Sequence, residues 1–137
     1  MVRDVLMQIL DRSPDIALVG IAEDEPTLLA AIEETRPDVV VTDVRMPPAR
    51  TDEGVRVAEG LATALPDVGV VILSQYSDPE SLSRVFDVGS ENRGWVLKER
   101  AGSNGQLTSA VKTVHRGARW IDPSIVARRP GAQGNAA

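Results

Sequence analysis

Four apolar, β-branched runs punctuate the chain: 16–22 (IALVGIA), 39–42 (VVVT), 68–73 (VGVVIL) and 94–97 (GWVL). They are continuous rather than alternating, which is the pattern of strands buried on both faces of a parallel sheet. Segments of helical period lie between and after them. Residues 26–35 set Leu28, Leu29 and Ile32 on one face and Glu33 and Glu34 on the other. Residues 53–65 place Val55, Val57, Ala58, Leu61 and Leu65 at helical spacing, and 79–88 do the same with Leu82, Val85 and Phe86. Residues 107–116 align Leu107, Val111 and Val114. Strand–helix alternation of this kind predicts right-handed βαβ units. The opening differs: 2–11 read as an amphipathic helix carrying Val5, Leu6, Ile9 and Leu10, with no strand before it.

Punctuation residues support these boundaries. Pro26 and Pro79 suit first helical turns, with Asp24 and Asp78 before them as caps. Arg36-Pro37-Asp38 and Leu65-Pro66-Asp67 end helices ahead of strands. Lys112, His115 and Arg116 complement a helix C-terminus, and Gly117 follows as its cap. These elements predict one domain over 1–128 and a small, polar linker or disordered tail over 129–137 (RPGAQGNAA).

Composition narrows the chemistry. The 137 residues include no cysteine and one histidine, so disulfides, thiolate chemistry and His-rich metal sites drop out. Fifteen basic against twenty acidic residues leave a net charge of −5, which disfavours direct nucleic-acid binding by this chain. No apolar stretch approaches a membrane span, and the charged N-terminal run is unlike a secretory signal. The expected setting is cytoplasmic, with no membrane partner.

In an open parallel sheet, ligands bind beyond the carboxyl ends of the strands. The residues at those ends are Asp43, Ser74 and Lys98. A carboxylate can act as a phosphoryl nucleophile, while an ammonium and a hydroxyl can stabilise the transferred oxygens. Any one polar residue at a strand end is ordinary loop chemistry. Three complementary types on successive strand ends form a candidate site.

The stretches RPDVVVTDVRMPP, VVILSQY and GWVLKER, in this order and spacing, resemble the receiver domain of two-component response regulators. LKER, the long PPARTDEG loop and GARWIDPSIV resemble the NarL/LuxR group in particular. The resemblance implies a flavodoxin-like α/β fold, a parallel sheet in the strand order 2-1-3-4-5 flanked by helices. It implies that Asp43 is the phosphoacceptor served by a histidine kinase, and that Ser74 and Lys98 contact the phosphoryl group. It implies that Asp43 and the backbone carbonyl of Arg45 are Mg²⁺ ligands, that Met46 and Pro47 shape the loop, and that Trp95 and Tyr76 are switch aromatics. It further implies transcriptional regulation through a helix-turn-helix domain beyond this sequence. His115 reads as a helix-end cation.

One departure stands out. Receivers carry an acidic pair at the end of a first, central strand, which helps to hold Mg²⁺; aligned by the family pattern, this sequence starts at the first helix. Three explanations compete. The chain is a truncated or mis-started receiver with impaired metal binding; another copy fills the gap by strand exchange or edge pairing; or 16–22 moves into the central slot and brings Glu23 or Asp24 to Asp43 as a metal ligand. A homodimer through the last helices is a further expectation. The functional alternative to a phosphorylated receiver is a phosphorylation-independent pseudo-receiver acting as an interaction module. An aspartyl-phosphate phosphohydrolase is disfavoured, because Arg45 occupies the position where such enzymes need a general acid. The expected protein is not a conventional enzyme.

Overall fold

The computed structural model of the protein describes residues 2–45, 51–74, 79–87, 91–98, 101 and 105–122. The β-branched runs form strands β1 (Val39–Asp43), β2 (Gly69–Ser74) and β3 (Arg93–Leu97), joined by a short β4 (Trp120–Ile121). All pairings are parallel, in the order β1-β2-β3-β4. The helices are α1 (Val2–Arg12), α2 (Glu25–Thr35), α3 (Glu53–Ala64), α4 (Pro79–Asp87) and α5 (Gln106–His115).

Side chains alternate across each strand, so continuous apolar runs supply two cores at once. Val40, Val70, Ile72, Trp95 and Leu97 face one side, against Ile32 of α2, Val55, Ala58 and Leu61 of α3, and Leu82, Val85 and Phe86 of α4. Val71, Leu73 and Val96 face the other, against Leu10 of α1 and Leu107, Ala110, Val111 and Val114 of α5. Each large aliphatic side chain so buried contributes about 1.5–3 kcal/mol. Every residue of β2 and β3 is buried, which makes these two strands the centre of the domain.

The amino-terminal end of β3 is secured by a charge. Arg93 is fully buried, and its guanidinium donates to the carbonyls of Val68, Asn92 and Ala58 and to the Asn92 side chain, at 3.0–3.2 Å. Burial pushes this guanidinium down from its usual range, but arginine stays charged at any ordinary pH.

Local chemistry sets the helix ends. Asp24 caps α2: its carboxylate accepts from the Thr27 backbone N–H at 3.0 Å, and the Thr27 hydroxyl accepts from the Asp24 N–H at 3.3 Å. After α5, Gly117 has φ 87°. Its N–H donates to Val114 O and the Ala118 N–H to Thr113 O, the two bonds of a Schellman ending.

The structure corrects the reading of 16–22 as a strand. These residues are not in any strand, and among the described residues β1 pairs only with β2. Leu18, Val19 and Ile21 are 38%, 57% and 55% exposed, and a side chain at Gly20 would meet Ala31 and Thr35 of α2. An apolar run becomes a strand only where a neighbour completes its ladder. Here the segment lies beside a helix, and Asp24 is engaged as a cap. The relocated strand that would have made Glu23 or Asp24 a metal ligand is therefore not formed. The central position of a receiver sheet, next to β1, holds no strand among the described residues. The tail expected over 129–137 lies outside the described residues, as do Asp78, Met46, Pro47 and Tyr76.

Candidate functional site

The parallel register aligns the strand ends. Asp43 pairs with Leu73, and Ser74 with Leu97. The Val44 N–H donates to Leu73 O at 3.1 Å, which carries the ladder one residue past Asp43. Asp43, Ser74 and Lys98 thus stand on one rim, at the carboxyl ends of three neighbouring strands. Lys98 reaches across the end of β2, and its Nζ lies 3.0 Å from Asp43 Oδ1. Side-chain exposures of 28% for the lysine and 40% for the aspartate leave the carboxylate open to a reactant. At such exposure the pair contributes little to stability. Its value lies in position: a cation is already beside the carboxylate where a phosphoryl group would add charge. Ser74 is buried at the same rim.

Two features hold the Asp43 loop. The Gly54 N–H donates to Val44 O at 2.8 Å. A Cβ built on Gly54 would stand 2.8 Å from the Asp43 carbonyl carbon and 3.2 Å from Val44 Cα, closer than such atoms pack. Only a glycine lets α3 approach the backbone of Asp43 this closely. Ahead of it, Glu53 is buried and accepts from the Thr51 N–H at 2.9 Å.

A charge network joins the helices beside the site. Arg84 of α4 makes a forked contact with Glu59 of α3, at 2.8 and 3.1 Å, and a 2.7 Å pair with Asp52. Arg56 pairs with Glu25 of α2 at 2.7 Å and with Asp52 at 3.3 Å. The hydrogen bond from Arg84 holds the Asp52 carboxyl below its ordinary pKa. The network fixes α4, which follows Ser74, against α3, which follows Asp43.

Trp95 is fully buried in the core under α3 and α4, and its indole N–H has no hydrogen-bond partner among the described residues. Tyr76, the other aromatic singled out from the sequence, lies outside the described residues. Gly54, Arg84 and Asp122 carry no motif that singles them out. Asp122 follows β4 and is fully buried beside the Lys98 end of β3. A glycine directly after an Asp-Glu step resembles any turn, and only the fold shows what Gly54 touches.

Among the described residues no cluster of three or more acidic or histidine side chains is placed to hold a metal ion. Asp43 and the backbone carbonyl of Arg45 would hold a divalent cation, with water on the remaining octahedral positions.

Comparison with known proteins agrees with this geometry. A family model described as the response regulator receiver domain matches residues 1–111. The Oxygen regulatory protein NreC of Staphylococcus carnosus is 33% identical over 124 residues, covering 90% of this chain and 54% of that protein. The Transcriptional regulatory protein DegU of Brevibacillus brevis is 31% identical over 123 residues, covering 90% and 49%. The chain thus spans about half the length of the curated relatives it matches. Among solved structures, the isolated receiver domain of RcsB from Salmonella enterica serovar Typhimurium, in the presence of the phosphomimetic BeF3−, superposes with a TM-score of 0.75. That match has 23% identity and covers 90% of this chain and 87% of the other. An all-parallel sheet whose strand ends bring an aspartate and a lysine together, matched over most of its length by one family model, has a single assignment: the chain belongs to the response regulator receiver domain family.

Proposed function

We propose that Asp43 accepts a phosphoryl group from a histidine kinase and that the resulting charge switches an output. The observation that carries this reading is the 3.0 Å approach of Lys98 Nζ to Asp43 Oδ1 on the rim shared with Ser74. In the proposed step, a carboxylate oxygen of Asp43 attacks phosphorus, and the P–N bond to the kinase histidine breaks. The electron pair of that bond stays on the imidazole. Lys98 balances the added negative charge, and the Ser74 hydroxyl donates to a phosphoryl oxygen after a shift of its loop. Trp95 and Tyr76 respond to the shift as switch aromatics. The switch is then a local charge change acting on a two-state surface. By analogy with the relative named as a transcriptional regulator, the output is transcription, exerted through a DNA-binding segment outside this sequence. The setting is cytoplasmic, and no helix among the described residues is long and apolar enough to cross a membrane.

The test uses the intact chain with Mg²⁺ and a small acyl-phosphate or phosphoramidate donor. Intact mass should rise by one phosphoryl group, and Asp43→Asn should abolish the gain. A folded wild-type chain that takes no phosphoryl group would overturn the proposal. It would favour the second reading, a phosphorylation-independent interaction module. In either case we infer that a second copy pairs along the outer edge of β1. The segment 16–22 exposes Leu18, Val19 and Ile21, and β1 carries no lysine or proline to block pairing. Light scattering should show a dimer that Val41→Lys converts to monomer. A dimer insensitive to this change would point instead to the last helices.

A further inference from the structure

The ladder between β3 and β4 reaches Asp122 in an unusual way. β4 pairs Ile121 with Trp95, and the Asp122 N–H continues the ladder to Trp95 O at 2.9 Å. In a regular parallel ladder the next bond runs from the Leu97 N–H to the main-chain carbonyl of residue 122. Here the Leu97 N–H is directed at the side chain of Asp122, with Oδ2 at 3.4 Å, a long bond inside a fully buried pocket. The carboxylate oxygen stands in for a main-chain carbonyl. Pro123 follows in the sequence and has no N–H to offer a ladder.

The residue after Leu97 is Lys98, whose ammonium sits 3.0 Å from Asp43. We propose that Asp122 is a positioning residue: its carboxylate fixes the Val96–Leu97 peptide, one residue ahead of Lys98, and couples the Lys98–Asp43 pair to the end of β4. The proposal rests on Asp43 and Lys98 being the phosphoryl site. Asp122 holds β3 at two places, through its own N–H at Trp95 and through its side chain at Leu97. A movement of Lys98 toward a transferred phosphoryl group is therefore felt at residue 122. A displacement of Asp122 is likewise felt at the lysine.

The test compares Asp122→Ala and Asp122→Asn in the full chain. Asparagine keeps a carbonyl oxygen at the same reach. Hydrogen exchange of the Leu97 amide and the ¹⁵N resonance of the Lys98 ammonium are read first, without phosphodonor. Asp122→Ala should speed Leu97 exchange at least about tenfold, equivalent to about 1.4 kcal/mol, and shift the Lys98 resonance. Asp122→Asn should restore both toward wild type. Phosphorylation by a small donor is read next. Asp122→Ala should slow it in the wild-type background and change nothing further in Lys98→Ala, because both act through one group. A merely structural role would lower thermal stability yet leave the two substitutions additive, and that result overturns the proposal. Unchanged Leu97 exchange in Asp122→Ala overturns it equally. If the wild type takes no phosphoryl group, the phosphoryl reading fails, while the exchange and the lysine resonance still decide whether Asp122 positions Lys98.

Discussion

Replacing Gly54 by alanine adds one methyl group at the most crowded point behind the site. The new Cβ would stand 2.8 Å from the Asp43 carbonyl carbon and 3.2 Å from Val44 Cα, and it would press still harder on the Asp43 carbonyl oxygen. Comfortable separations between such atoms are about 3.5–4.0 Å. The three nearest atoms are all backbone, so no rotamer change relieves the clash; either β1 shifts or the first turn of α3 unwinds. Overpacking of this kind costs about 1–3 kcal/mol and occasionally more, and a backbone-to-backbone clash belongs at the upper end. Gly60, on the same helix, is the internal control. It is exposed, and nothing lies within 4 Å of a Cβ added there. Gly60→Ala should therefore stabilise by about 0.5–1 kcal/mol through the lower backbone entropy cost of alanine in a helix. The two variants should lie about 3 kcal/mol apart in urea unfolding, a separation of about 1–3 M in midpoint for ordinary slopes. Gly54→Ala should also slow modification at Asp43, because the carboxylate moves with its backbone. Equal stabilisation by both changes would refute the close approach of α3 to Asp43.

Three further outcomes follow. Arg93→Leu takes a donor from Val68 O and from the Asn92 side chain, while Asn92 O keeps the Val70 N–H at 3.1 Å, and should cost about 1–3 kcal/mol in chemical unfolding; Arg93→Lys should recover little, because an ammonium lacks the planar fork. Arg84→Gln should lower stability by no more than about 1 kcal/mol at low salt, less at high salt, and should flatten the acid limb of the stability curve. The Asp52 pKa is depressed in the folded protein, so its contribution is present above the ordinary aspartate pKa of 3.8 and is lost as pH falls below it. Thermal midpoints measured from neutral pH down into that acid range should show a smaller loss in Arg84→Gln than in wild type. Asp24→Ala should loosen the start of α2, seen as faster amide exchange there, without altering Mg²⁺ titrations followed by tryptophan fluorescence; an altered titration would revive Asp24 as a ligand.

Much of the architecture is legible in the sequence because its signals are local. Val39, Val40 and Val41 announce a strand by composition alone, and Asp24 and Gly117 announce helix ends through side-chain chemistry and a left-handed turn. The strand ends likewise mark Asp43, Ser74 and Lys98 as a group from their positions in the chain. What stays hidden depends on neighbours. Residues 16–22 have the composition of a strand, but pairing is a property of two segments, and among the described residues no second one lies alongside. β4 is only two residues long, too short for any period to register. Gly54 and Asp122 look like ordinary loop residues in sequence. The first matters through a backbone it approaches and the second through an amide it accepts from, both supplied by distant parts of the chain.

The placement of Asp43 on a strand laddered along one side has a consequence for how the protein comes apart. β2 and β3 are bonded on both sides and fully buried, whereas β1 among the described residues has a single neighbour. Local opening is cheapest where contacts are fewest, so in a single copy β1 and the two-residue β4 fray while β2 and β3 endure. On warming a single copy, the Asp43–Lys98 contact will dissolve ahead of the cooperative melt. Calorimetry and any probe of that carboxylate will then report different midpoints, and the gap between them measures how loosely β1 is tethered.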